Sequence, residues 1–126
     1  MARNLHILSH HYDERNYADT AIQMLKNVQE EMERYPSAFS NWMDLLANYQ
    51  DKFYEVVVVG PEANEKIADL NQTYLPNAMI AGSTTSGKSP LLEGRFVDGE
   101  TYIYVCVNYA CKLPVKDVAD AMQLMD

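Results

Sequence analysis

The chain has 126 residues, of which 48% are hydrophobic and 22% are charged, and its formal net charge is −8. This length fits one compact domain, or a small domain with an appendage, and leaves no room for two full-sized domains. Because phosphate backbones are bound by basic surfaces, the excess of eighteen acidic over ten basic side chains predicts no nucleic-acid partner.

The apolar residues of the sequence are spread over short segments. No run approaches the roughly 18 residues that span a bilayer, so we expect no membrane partner. The two cysteines are too few for a disulfide framework. A reducing compartment, and therefore a cytoplasmic location, is the expectation.

The first fifty residues predict three helices, because apolar residues recur at spacings of three and four. In the first helix the apolar face consists of Met1, Leu5, Leu8 and Tyr12. Asp13 is the expected N-cap of a longer second helix, whose apolar stripe is Tyr17, Ala21, Met24, Leu25, Val28 and Met32. After a break at Tyr35-Pro36-Ser37, a third helix carries Phe39, Trp42, Met43, Leu46 and Tyr49.

From residue 53 the pattern changes to short strands between helices. Residues 53–60 form a valine-rich run without alternation, which is typical of a strand buried on both faces. A helix follows from Pro61, and residues 78–81 and 101–107 predict two further strands. The stretch between them has loop character, and a closing helix follows Pro114.

These elements predict an α/β fold with two parts. Residues 1–52 form a helical segment, a hairpin plus a third helix. Residues 53–126 form a small α/β module whose three-stranded, mostly parallel sheet is flanked by helices and has the first strand in its middle. The helical segment offers more apolar surface than such a sheet covers. We therefore expect an association face formed by Leu5, Leu8, Tyr12, Phe39 and Trp42.

Residues 82–89 match the phosphate-binding P-loop formula G-x-x-x-x-G-K-[ST]. In that interpretation Gly82 and Gly87 let the backbone approach phosphates, Lys88 meets the terminal phosphates and Ser89 holds magnesium. The formula needs a strand before the loop and a helix after it. Pro90 and the glycine that soon follows it disfavour that helix.

Cys106 and Cys111 lie at the end of the third strand and just after it. A turn through Asn108 and Tyr109 brings their Cα atoms into the range of about 4.4–6.8 Å that a disulfide needs. The pair is thus a candidate redox site, although it lacks the C-x-x-C spacing of many redox-active thiols. The alternative makes Cys106 a small apolar strand residue and Cys111 a loop thiol.

His6 and His10 have the spacing that two metal ligands use on one helix face. No carboxylate or cysteine nearby completes a set, and Leu5, Leu8 and Tyr12 define the face that we expect to be buried. We therefore predict no metal site and no cofactor, and a partly exposed surface position for this pair.

The order of several segments is that of a known family. These segments are Tyr35-Pro36-Ser37-Ala38-Phe39 before Trp42, the valine-rich strand ending in Gly60, Tyr74-Leu75-Pro76-Asn77, Pro90-Leu91-Leu92-Glu93-Gly94-Arg95, Val97-Asp98-Gly99, and Tyr104-Val105-Cys106 with Cys111 and Pro114. Together they resemble the C-terminal end of large proteins that join a thioredoxin-like domain to an (α/α)6 six-hairpin barrel. This family is similar to N-acylglucosamine 2-epimerases in its barrel and includes spermatogenesis-associated thioredoxin-like proteins.

The resemblance implies that the chain is a fragment of a longer protein. Residues 1–52 would be the last helices of the barrel and residues 53–126 a small module behind it. It implies a variable loop before Pro90, which weighs against the P-loop interpretation, and it includes the pair Cys106 and Cys111. A link of the family to carbohydrate metabolism rests on analogy of the barrel fold alone.

The leading hypothesis is therefore a non-catalytic C-terminal module that acts by packing and association. Its expected partner is the remainder of the parent protein or a second copy of the chain. One alternative is a thiol or redox site at Cys106 and Cys111, and another is nucleotide binding by residues 82–89. We expect no catalysis by this chain alone under the leading hypothesis.

Overall fold

A computed structural model describes residues 1–125 of the chain. The chain divides into two compact units, one of residues Met1–Lys52 and one that begins at Phe53. Among the described residues, no helix combines the length and the apolar character needed to cross a membrane.

The first unit, here called the helical unit, contains three α-helices. They are α1 (Ala2–Tyr12), α2 (Arg15–Arg34) and α3 (Ser40–Gln50), with a 3-10 turn at Pro36–Phe39 between the last two. The expected N-cap role of Asp13 is wrong: this residue ends α1 in the left-handed conformation, with φ 51°. The N-cap of α2 is Glu14, whose carboxylate accepts a hydrogen bond from Asn16 N at 3.3 Å.

The face of α1 that packs inside the helical unit lies one position away from the predicted one. Its buried residues are Ala2, His6 and Ser9, whereas Leu8 is 37% exposed and Tyr12 is 61% exposed. Burial of the polar face is possible because Ser9 Oγ donates to His6 O at 2.6 Å. The small Ala2 and Ser9 also permit close approach to the neighbouring helices. Leu8 and Tyr12, which the sequence assigned to an association face, are therefore turned outwards.

The core of the helical unit is formed by all three helices. Its buried members are Ala2, Leu25, Met32 and Leu45. Phe39 and Trp42, which the sequence placed on the association face, are half-buried and pack against this core. They are thus partly used inside the unit, unlike Leu8 and Tyr12 on α1.

The second unit, here called the α/β unit, has a four-stranded mixed sheet in the order β2-β1-β3-β4. The strands are β1 (Tyr54–Val59), β2 (Ala78–Ser83), β3 (Tyr102–Val107) and β4 (Ala110–Cys111), and the helices are α4 (Ala63–Leu70) and α5 (Val118–Gln123). β1 pairs in parallel with β2 and antiparallel with β3, which pairs antiparallel with β4.

The predicted α/β class is confirmed, and β1 lies inside the sheet as expected. Two details differ: the sheet has four strands, and only the β1–β2 pair is parallel. The additional strand, β4, has two residues, and no run of β-branched residues marks it in the sequence. It exists because the chain reverses directly after β3, and a tight reversal imposes antiparallel pairing.

The two faces of the sheet are covered differently. On one face α4 and α5 pack on Tyr54, Val56 and Val58 of the central strand. On the other face the irregular segment 84–98 covers the central strand. Leu91 of this segment is fully buried, and Leu92 and Phe96 pack beside it. We call this second side the loop face. All six residues of β1 are buried, as expected of a strand covered on both sides.

His6 gives the helical unit a pH-dependent stability. Burial, with smaller contributions from His10 and Arg3, lowers the pKa of His6 from 6.5 to about 4. Between these values the unfolded chain binds a proton at His6 that the folded chain does not bind. Stability from this residue is therefore fully present above about pH 6.5 and decreases as the pH falls towards 4.

We predict that His6→Phe loses less stability than the wild type between pH 7 and pH 5. The measurement is urea unfolding followed by fluorescence of Trp42, the single tryptophan, which reports on the helical unit. Acid effects on carboxylates are common to both proteins, so the difference isolates His6. Tyr17→Phe, a change at an exposed position of α2, should keep the wild-type dependence. Equal slopes in His6→Phe and the wild type would contradict the prediction.

Candidate functional site

A disulfide joins Cys106 to Cys111 across the hairpin of β3 and β4. The two connecting residues, Asn108 and Tyr109, have φ values of 49° and 63°, as in a type I′ turn. The turn places the two cysteines directly opposite each other, with a Cα–Cα distance of 3.9 Å. This is closer than the expected range. The alternative of two separate thiols is wrong, because no cysteine is free.

The hydrogen-bond pattern explains the close approach of the two cysteines. Lys112 N donates to Val105 O at 3.0 Å, so the hydrogen-bonded pair is the next one along the ladder. Cys106 and Cys111 therefore occupy a non-hydrogen-bonded pair, in which side chains of an antiparallel ladder lie nearest to each other. The position of the turn thus determines that the sulfurs meet.

The two sulfur-bearing residues differ strongly in exposure. Cys106 is on the loop face and is 1% exposed, whereas Cys111 on the edge strand β4 is exposed. Any thiol that reaches the bond from solvent therefore meets the Cys111 side.

A buried carboxylate lies beside the disulfide. Glu55 on β1 is 0% exposed and pairs in register with Cys106. Its Oε2 accepts a hydrogen bond from Tyr109 N at 2.9 Å, which joins the central strand to the turn. A tyrosine in the left-handed region is unfavourable by about 1 kcal/mol or more. The charge-assisted bond that Tyr109 N donates to Glu55 offsets this cost and holds the turn that brings the cysteines together.

Arg95 brings a positive charge to the buried sulfur. Its Nη1 lies 3.5 Å from Cys106 Sγ, and its guanidinium lies 5.3 Å from the ring centroid of Tyr104. Tyr104 also donates its hydroxyl to Arg95 O at 3.0 Å, which fixes the backbone of segment 84–98 at this point. Burial lowers the pKa of Arg95, and the nearby Glu55 and Tyr104 act in the opposite direction. Arginine stays protonated in proteins, so the site contains a fixed cation.

The arrangement combines the features that control thiol chemistry. A disulfide with one accessible and one buried sulfur can be opened by an external thiol. A neighbouring cation favours the thiolate form of the cysteine that is released. The site thus contains an exposed and a buried half-cystine with a cation beside the buried sulfur.

The sequence predicted the cysteine pair but missed Glu55 and Arg95. Each had a signal. Glu55 is the single charged residue in the six-residue strand β1, and a charge that interrupts a buried strand requires a partner. Arg95 ends the Pro90–Arg95 segment, which carried part of the family resemblance. Only the fold shows that the two residues meet at Cys106, because they are 40 positions apart in sequence.

The P-loop-like segment has the preceding strand, β2, but not the following helix. Over residues 84–98, all of which are described, the chain forms turns and irregular structure. Ser89 O accepts bonds from Leu92 N and Glu93 N, and Lys88 is exposed. Close packing explains why glycine occupies both positions. A Cβ at Gly82 would lie 2.5 Å from Ile67 Cδ1, and a Cβ at Gly87 would lie 2.6 Å from Leu92 Cδ1. The helix N-terminus on which the phosphate interpretation depended is missing.

The expected surface position of the histidine pair is wrong for His6. It is 3% exposed, and its ring lies 4.8 Å from that of His10 and 4.7 Å from that of Tyr49 on α3. Among residues 1–125 there is no group of three or more histidine, cysteine, aspartate or glutamate residues placed to hold a metal ion.

We predict that Glu55→Gln lowers the free energy of unfolding of the α/β unit by about 1.5–3 kcal/mol, the range for hydrogen bonds to charged groups. The amide keeps the size of the side chain but removes the charge that faces Arg95 and Tyr109 N. Glu93→Gln, on the exposed surface of the same unit, is the matched control and should stay within about 0.5 kcal/mol. Urea unfolding followed by circular dichroism measures both. A Glu55→Gln protein as stable as the control would contradict the role given to the carboxylate.

Comparison with known proteins finds similarity to spermatogenesis-associated protein 20. The rat protein is 27% identical over 132 residues, which cover 96% of this chain and 16% of that protein. The mouse protein is 26% identical with the same coverage, and the human protein is 24% identical over 98% of this chain and 17% of its own length. No family model matches the chain, and no solved structure matches it. The chain thus resembles about one-sixth of each of these longer proteins.

Proposed function

We propose that this chain is a non-catalytic module of a longer, thioredoxin-like protein and that it acts by packing and association through its helical unit. The observation that carries the proposal is the outward apolar stripe of α1, on which Met1 is 82%, Tyr12 61% and Leu8 37% exposed. Apolar residues grouped on one helix face are typical of a surface that another polypeptide covers. The similarity to about one-sixth of spermatogenesis-associated protein 20 supports the same proposal.

A second apolar surface lies in the helical unit. A groove of about 530 Å³ runs between α2 and α3, and its apolar lining includes Ile22, Leu25, Met32, Met43 and Leu46. Charged and amide side chains such as Lys26, Glu33 and Gln50 lie along it. An apolar centre with polar residues around it is the usual composition of a protein interface.

The proposed partner is the remaining helical part of the parent protein, for which a six-hairpin barrel is the candidate architecture. In its absence a second copy of the chain takes this place. The proposed location is the cytoplasm, as the two-cysteine composition suggested. A role in carbohydrate metabolism would come from the barrel and rests on the family resemblance.

We predict that the chain alone associates at micromolar concentration, with a mass by light scattering of at least twice 14.4 kDa. Leu8→Glu should shift the protein towards the monomer, because it buries a charge in the proposed contact. Gln123→Glu adds the same charge on the exposed side of α5 and should leave the mass unchanged. A wild-type protein that stays at 14.4 kDa over this concentration range would overturn self-association.

The second candidate function is thiol–disulfide exchange at Cys106 and Cys111. It is favoured by the bond between an exposed and a buried cysteine, together with the cation at the buried sulfur. In a reducing compartment a disulfide is usually transient and serves catalysis or sensing. Exchange at this pair is therefore compatible with the proposed cytoplasmic location.

We predict that the folded chain cycles between a bonded and a dithiol form in glutathione buffers. After alkylation, mass spectrometry should find no added label in the oxidised form and two in the reduced form. Cys111→Ser, which cannot form the bond, should take up one label in the reduced form. A wild-type protein that keeps two free thiols in oxidised glutathione, or whose bond resists dithiothreitol until the protein is unfolded, would exclude the exchange function.

A further inference from the structure

The surroundings of the disulfide define a direction of attack. Cys111 lies on β4, which is the edge of the sheet and is exposed along its two residues. Cys106 lies under segment 84–98 and is 1% exposed. Exchange requires the attacking sulfur to approach along the S–S axis, and of the two residues only Cys111 is exposed to solvent. The exposed residue, Cys111, therefore offers the point of attack.

The leaving group is then Cys106, and its charge must be stabilised. When the bond opens, a negative charge appears on Cys106 Sγ, 3.5 Å from Arg95 Nη1. The half-buried guanidinium interacts with this charge more strongly than it would in water. Leaving thiols whose thiolate is stabilised depart faster in exchange. The cation thus acts on the sulfur that receives the electron pair.

The buried carboxylate makes the cation necessary. Glu55 and Cys106 are opposite each other on β1 and β3, and cross-strand neighbours on one face have Cβ atoms about 4.5–5.5 Å apart. Without Arg95, a thiolate on Cys106 would face a second anion in a buried setting. With Arg95, the negative charges share one positive partner, and the cost of releasing the thiolate decreases.

Resting on the exchange function proposed above, we infer that an external thiol attacks Cys111, that Cys106 is the leaving thiolate, and that Arg95 stabilises this thiolate. The substrate class is an organic dithiol, free or presented by a protein. In this reaction the protein disulfide is the two-electron oxidant.

The reaction balances in two steps. First, the attacking thiolate forms a bond to Cys111 Sγ, the Cys106–Cys111 bond breaks, and its electron pair stays on Cys106 Sγ. Next, the second thiolate of the dithiol attacks the first substrate sulfur, and the bond to Cys111 breaks with its electron pair left on Cys111. The dithiol loses two electrons and two protons and becomes a disulfide. The cysteine pair gains the two electrons and takes up protons from the medium according to the pH.

The site of attack is tested by trapping the mixed disulfide. The oxidised full chain is treated with excess glutathione, quenched with N-ethylmaleimide and mapped by peptide mass spectrometry. We expect glutathione on Cys111 and maleimide on Cys106. The reverse distribution would overturn the assignment of attacked and leaving sulfur. A wild-type chain that forms no adduct and no dithiol would instead remove the exchange function itself.

The role of Arg95 is tested by rates of reduction. Arg95→Gln should react with 2-mercaptoethanol about three- to tenfold more slowly than the wild type, because a less stabilised thiolate is a poorer leaving group. Arg95→Lys should restore part of the rate, since it keeps the charge. Lys112→Gln removes an exposed cation next to Cys111 and is the matched control. An equal decrease in Lys112→Gln would mean general attraction of anionic thiols and would refute the specific role of Arg95.

A second measurement separates leaving-group stabilisation from a merely structural role. In the Cys111→Ser background, the pH at which Cys106 is half ionised is followed by the ¹³Cβ chemical shift. This midpoint should rise when Arg95→Gln is added and return towards its starting value when Glu55→Gln is added as well. Circular dichroism checks that each variant is folded. An unchanged midpoint in folded Arg95→Gln protein would refute the inference while leaving exchange at the cysteine pair intact.

Discussion

The complete burial of β1 is the constraint on which the α/β unit depends. A strand with both faces covered needs a layer on each side, and within the described part of the α/β unit the helices α4 and α5 pack on one side. The irregular segment 84–98 supplies the other layer through Leu91 and its apolar neighbours. This layer also places the half-buried Arg95 next to Cys106. The contact between Arg95 and Cys106 is thus a consequence of the way in which segment 84–98 covers the second face of the sheet.

The complete burial of β1 also explains the structural role of Glu55. A carboxylate in a fully buried strand is unfavourable unless it has hydrogen-bond donors and a counter-charge. Here the donor is Tyr109 N in the turn, and the counter-charge is Arg95. One residue of the central strand therefore connects the loop layer, the hairpin turn and the disulfide. Polar groups that satisfy each other in this way fix a single arrangement more strictly than apolar packing does.

The sequence predicted the parts of the structure that follow from local pattern. The valine run, the breaks at Pro36 and Pro114, and the three longer helices of the first unit each have a local signal. The buried face of α1 had no such signal, because it consists of Ala2, His6 and Ser9. Small and polar residues of this kind are buried only where the neighbouring helices fit them closely. Burial there is decided by close approach and by the Ser9 hydrogen bond. A hydrophobic stripe alone therefore indicated the helix correctly but did not show which of its residues pack inside the unit.

At the site, the sequence left open whether Cys106 and Cys111 are joined, and it gave no direct indication of the groups around them. Asn108 and Tyr109 indicated a turn, but Glu55 and Arg95 become neighbours of the sulfurs only through the order β2-β1-β3-β4. Non-local pairings of this kind leave no periodicity in the sequence. The chain is similar to part of longer proteins. In its helical unit the apolar stripe of α1 is turned outwards.

The shortness of β4 has a consequence for how this protein avoids unwanted assembly. An edge strand with free backbone groups can template the addition of strands from other molecules. Here β4 ends after two residues, Pro114 lacks an N–H group, and Val115 returns to pair with Ile103. An approaching extended chain therefore finds no continuous row of donors and acceptors on that side. The edge that carries the disulfide is thus closed to growth of the sheet.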